Sequence, residues 1–125
     1  MASGVSAQLE KFIRERLPSS EQIEIVLLLR SDVARGWTAP EVTAALGTPP
    51  ESTAMRLFLL ASNGVLVFEG SGVPRYRYAV NPDDDLLVNE LADVWSGRRE
   101  ALADIVEGAG RDPLRTFADA FRLKK

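Results

Sequence analysis

Residues 38–80 read TAPEVTAALG, then TPPESTAMRLFLLASNG, then VLVFEGSGVPRYRYAV, and this stretch decides the fold. Thr38 and Thr48 are each followed three residues later by a glutamate, Glu41 and Glu51. That is capping-box spacing: the hydroxyl takes one free amide of a helix start and the carboxylate returns to another. One helix is expected over Thr38 to Leu46, with Val42, Ala45 and Leu46 inward. The next is expected over Pro49 to Asn63, with prolines in its first turn, where amide protons are not needed. There Thr53, Leu57 and Leu60 form one stripe, with Ala54, Phe58 and Ala61 beside it. Only Gly47 separates the first helix from the cap of the second, and it suits a left-handed helix end.

Val65 to Glu69 and Arg75 to Val80 are rich in branched and aromatic residues, as strands are. Gly70 to Pro74 makes the turn between them. Side chains alternate along a strand, so Tyr76, Tyr78 and Val80 point one way and Arg75 and Arg77 the other. The tyrosines belong on the core and the arginines on the outside. The pattern predicts a mainly α (α+β) fold: a winged helix-turn-helix with a two-stranded wing and added N- and C-terminal helices.

Upstream, Val5 to Leu17 has helical apolar spacing, stopped by Pro18. Ser19 caps a following helix, with Gln22 at its third position. Ile23, Ile25, Val26, Leu27, Leu28 and Leu29 make that helix apolar on most sides, so it is expected at the centre. Trp37 is expected to enter the core from a short extended stretch. Downstream, Asn81 to Glu107 reads as one long helix. Asp83, Asp84 and Asp85 complement its dipole; three acids diverging around a helix start are poorly placed to share a metal ion. At about 1.5 Å per residue the helix is on the order of 35 to 40 Å long, too long to pack wholly on a small domain. Its stripe of Leu87, Leu91, Val94, Trp95, Leu102 and Ile105 is therefore expected to form a homodimer seam. Gly108 to Gly110 breaks the helix, and Asp112-Pro113 opens a last one.

At 125 residues the chain is read as one domain, with a core over 19–80 and a dimerisation region over 81–125. No apolar run reaches the roughly 20 residues that span a bilayer, and no secretory signal is read at the N-terminus. A cytoplasmic location is the expectation. The chain has no cysteine and no histidine. That excludes disulfides, thiol nucleophiles, cysteine–histidine zinc sites and histidine acid–base chemistry. No carboxylate pair, nucleophile or phosphate-cradling loop stands out, so no enzyme activity, metal or cofactor is expected. The net charge is −3, and residues 81–125 supply the acidity with ten acids against seven bases.

The segments Thr38–Gly47, Thr48–Leu57 and Leu60–Leu66 resemble the winged helix-turn-helix of bacterial MarR-like and ArsR-like transcriptional regulators. The flanks at Glu24–Arg30 and Asp112–Arg122 are similar to a group of bacterial winged-helix proteins with no assigned role. The resemblance implies binding to duplex DNA. It also implies that Ser52, Met55, Arg56 and Leu59 occupy the outward face of the second helix, with Arg75 and Arg77 on the wing. Base readout uses arginine, lysine, asparagine or glutamine, whereas this face offers one arginine, one serine and two large apolar side chains. Met55 and Leu59 either face outward, as an apolar spot for a protein partner, or are packed by a rotated helix; the packed alternative is preferred. A positive band joining Arg56, Arg75 and Arg77 to Lys11, Arg14 or Arg35 would offset the acidic total. The expected function is a DNA-binding transcriptional regulator; the alternative is a winged-helix protein–protein interaction module without DNA binding. A ligand-sensing pocket between the long helix and the head is a weaker third.

Overall fold

A computed structural model of the chain describes residues 5–70, 72–97, 102–103 and 105–106. The described elements run α1 (Ala7–Arg16), α2 (Ser20–Arg30), α3 (Ala39–Leu46), α4 (Pro50–Ser62), β1 (Leu66–Glu69), β2 (Arg75–Tyr78) and α5 (Pro82–Gly97). Residues 102, 103, 105 and 106 are also helical. The two strands pair antiparallel, and the whole is a winged helix-turn-helix. The expected break at Gly108 and the last helix from Asp112 lie outside the described residues.

Local chemistry sets most helix starts. Ser6 and Ser19 cap α1 and α2, each accepting a backbone N–H at 3.1 Å. Thr38 and Glu41 form the full capping box of α3: Thr38 Oγ1 accepts from Glu41 N at 3.2 Å, and Glu41 Oε1 accepts from Thr38 N at 3.0 Å. Gly47 ends α3 with φ 73°, a left-handed conformation that glycine reaches without steric cost.

The start of α4 corrects the sequence reading. Thr48 and Glu51 form no capping box; Pro49 is the cap residue, and no side chain caps the helix. The cause is Pro50, whose ring disfavours helical geometry in the residue before it. Pro49 is accordingly extended, at φ −64° and ψ 137°. The helix therefore begins one residue late, leaving Thr48 outside, where its hydroxyl pairs with that of Thr53.

The core joins Leu9, Ile13 and Leu17 to Ile23, Ile25, Val26 and Leu29, then to Val42, Leu57, Leu60, Tyr76, Tyr78, Val88, Leu91 and Val94. α2 touches α3, α4 and β2, which is the central place its all-round apolar surface demands. Trp37 is buried and exchanges two backbone hydrogen bonds of 2.8 Å with Tyr76, extending the ribbon by one rung. α5 runs antiparallel along α1: Ser6 donates to Glu90 at one end, and Arg16 pairs with Asp84 at 2.9 Å at the other.

That packing changes the reading of the expected homodimer seam. Leu91, Val94, Leu102 and Ile105 are buried in the chain's own core, and Leu87 and Trp95 pack against it. Over α5 the stripe faces the chain's own core, and α1 lies alongside that helix. The four buried positions offer no surface to a second copy.

The aspartates at the α5 start tie the helix to the head. Asp85 accepts from the Tyr78 hydroxyl at 2.6 Å and pairs with Arg30 at 3.3 Å. Burial and the Asp85 contact push the Tyr78 hydroxyl well above its ordinary range. The Tyr78 hydrogen bond, aided by Arg30, holds Asp85 below its usual 3.8. A carboxylate held below its unfolded value stabilises the fold fully above that value, and the stabilisation is lost as pH falls through the lowered one. Asp85→Asn is expected to cost about 1 kcal/mol at pH 7, a charged hydrogen bond discounted for a half-exposed carboxylate. Below pH 4 the variant and the parent converge. Urea midpoints at pH 7 and pH 3 check this; an equal gap at both would contradict it.

Candidate nucleic-acid interface

α4 turns three kinds of surface in three directions. Thr53, Leu57 and Leu60 are buried, as the stripe predicts. Ser52 and Arg56 face α2 rather than solvent. The Ser52 hydroxyl donates to Glu21 Oε1 at 2.6 Å. Arg56 Nε lies 3.5 Å from the same oxygen, and its Nη1 is 3.4 Å from Gln22 Oε1. Glu21 sits in the first turn of α2, so one carboxylate gathers both polar groups expected to read bases. This corrects the outward placement of Ser52 and Arg56.

The outward face of α4 is apolar instead. Met55 is 61% exposed, Phe58 63% and Leu59 39%. The packed alternative for Met55 and Leu59 therefore fails. Phe58 and Ala54, expected beside the inner stripe, also face outward. No basic residue stands on this face, whose other exposed members include Glu51 and Ser62.

The wing keeps its expected sidedness. The pairs Leu66↔Tyr78 and Phe68↔Tyr76 share one face, and Val67↔Arg77 and Glu69↔Arg75 share the other. Tyr76 and Tyr78 are buried. On the outer face Arg77 forms an ion pair with Glu69. Arg75 Nη1 lies 3.4 Å from the Gly36 carbonyl and 3.9 Å from Glu41 Oε1. Arg35 reaches the same carboxylate oxygen at 3.5 Å, and its guanidinium stacks 3.5 Å from the Trp37 ring centre.

Arg35 thus joins the wing arginines through a contact that sequence distance hides. Gly36 permits it: a side chain there would meet Glu69 Oε1 at 3.2 Å and the Arg75 Cβ at 3.3 Å. The cluster holds three guanidiniums against two carboxylates, leaving one positive charge in excess. The Thr38 backbone hydrogen bond, with help from Arg35 and Arg75, holds Glu41 below its usual 4.5, so it is ionised at neutral pH. The band expected from Arg56 to Arg35 is shorter than the sequence allows. Arg56 stays with Glu21, and Arg14 pairs with Glu10 at 2.6 Å.

Among the described residues no group of acids is placed to hold a metal ion, and no helix is long and apolar enough to cross a membrane. The cleft between α1 and α5, lined by Lys11, Phe12, Arg16, Asp84 and Leu87, has a volume of about 230 Å³ and is partly polar.

No family model and no curated protein matches this chain. A solved structure of BpsR from Bordetella bronchiseptica is similar over 94% of this chain and 83% of that one, with 14% sequence identity and a TM-score of 0.51. That structure concerns the regulation of BpsR DNA binding by 6-hydroxynicotinic acid. At such low identity the likeness is one of fold, and it agrees with the winged helix described above.

Proposed function

We propose that the chain is a winged-helix transcriptional regulator that holds duplex DNA chiefly by its phosphates, through Arg35, Arg75 and Arg77. The observation that carries this reading is their gathering on the outer wing face, with one positive charge in excess in a chain of net charge −3. The fold shared with a DNA-binding protein supports it. Arginines on a wing suit phosphate or minor-groove contact. α4 supplies little base discrimination, because Ser52 and Arg56 are engaged by Glu21.

Mobility shifts on two unrelated duplexes at low salt test this. Equal retardation of both at micromolar protein is expected, as for sequence-independent phosphate binding. A strong preference for one duplex would return base reading to α4. No retardation would favour the second reading, a winged-helix protein–protein interaction module, for which the exposed Met55, Phe58 and Leu59 speak.

A further inference from the structure

Among the described residues no strand pairs with the outer edge of β1, and none covers the apolar surface beside it. Tyr76 exchanges both its backbone bonds with Trp37, on the side of β2 away from β1. Phe68, directly opposite Tyr76, therefore forms a non-hydrogen-bonded pair with it. The Phe68 N–H and C=O point away from β2, toward the free edge. Such an edge is a template for another strand.

The side chains at this edge are apolar as well. Phe58, Ala61, Ser62, Phe68 and Tyr76 line a concavity of about 240 Å³ between α4 and the ribbon. Phe68 is 51% exposed, and its ring stacks at a tilt on Tyr76, with centroids 5.4 Å apart. Phe58 and Phe68 leave on the order of 200 Å² of aromatic surface in water. Met55 and Leu59 extend that patch along α4, toward the roughly 600 Å² per partner of the smaller stable interfaces.

We propose that β1 and the α4 face beside it form a self-association surface, in which β1 of one copy pairs antiparallel with β1 of a second about a two-fold axis. Three observations select a second copy. An antiparallel edge pair about a two-fold axis is self-complementary, so each copy satisfies the Phe68 groups of the other. The one charge on β1, Glu69, is neutralised by Arg77, so copies with net charge −3 meet where repulsion is least. The α4 face presents no arginine or lysine to recognise an acidic partner. Pairing also leaves Arg75 and Arg77 on the opposite face of a four-stranded ribbon, with the arginine faces of both copies side by side.

Sedimentation of the full chain over a hundredfold concentration range tests the proposal. The parent is expected to pass from monomer to dimer. Phe58→Lys, a helix-compatible change at an exposed position, is expected to weaken dimerisation at least tenfold while keeping its far-ultraviolet circular dichroism. Leu86→Lys, on the exposed side of α5, is expected to leave it unchanged. Amide exchange at Phe68 is expected to slow at least tenfold from the monomeric to the dimeric end of the range. A parent that stays monomeric throughout, a Phe58→Lys dimer as tight as the parent, or Phe68 exchange independent of concentration would each overturn the proposal.

Discussion

Leu57→Ala is expected to lower the free energy of unfolding by about 3 kcal/mol, within the span of measured buried leucine truncations. Leu57 is fully buried on the helix that touches α2, α3 and β1 together. Removing its isobutyl group loses the transfer energy of the deleted carbons. It also leaves a cavity that three neighbouring elements cannot easily close. For a domain of ordinary stability, about 5 to 15 kcal/mol, roughly a fifth to three fifths of the total would go. Urea denaturation followed by tryptophan fluorescence measures it, because Trp37 lies in the same core. Leu86→Ala, at an exposed site on α5, is the control and is expected to change little. A loss below 1 kcal/mol at Leu57 would mean that α4 is not seated as described.

The second large effect concerns the wing. Replacing Arg75 and Arg77 together by alanine is expected to weaken duplex binding about two hundredfold at about 50 mM salt. Each neutralised phosphate contributes about 0.9 to the slope of log affinity against log salt, so two lost contacts remove nearly two units. Extrapolated from about 1 M to about 50 mM salt, that slope difference gives roughly two hundredfold. The fold itself is expected to lose little. Arg77–Glu69 and Arg75–Glu41 are partly exposed pairs, and such pairs contribute about 0 to 1 kcal/mol. Fluorescence anisotropy for binding and urea midpoints for stability separate the two effects. A variant that binds as tightly as the parent would remove the wing from the interface.

The architecture was legible because its signals are local. The Thr38–Glu41 box, the left-handed Gly47 and the alternation of Tyr76 and Tyr78 with Arg75 and Arg77 each depend on a few neighbouring residues. The α4 start was misread for a local reason too: the pull of Pro50 on Pro49 outweighs the threonine–glutamate spacing. The orientation of α4 was not legible, since Glu21, which binds Ser52 and Arg56, lies about thirty residues away in sequence. With both polar groups drawn to α2, the side bearing Met55 and Phe58 is left to solvent. The stripe on α5 was visible, but periodicity shows only that a face is covered. It does not say whether α1 or a second copy covers it, and in this structure α1 lies along that helix. Arg35 entered the wing cluster by folding of the Gly36 loop against Glu69 and Arg75, a proximity that no spacing encodes.

The most direct measurement is the salt dependence of duplex binding, for the parent and for the Arg75→Ala/Arg77→Ala variant, on two duplexes of unrelated sequence. The account predicts a straight fall of log affinity with log salt, nearly the same for both duplexes, with a slope about two units shallower in the variant. Parent and variant lines of equal slope, or affinity confined to one of the two sequences, would contradict it.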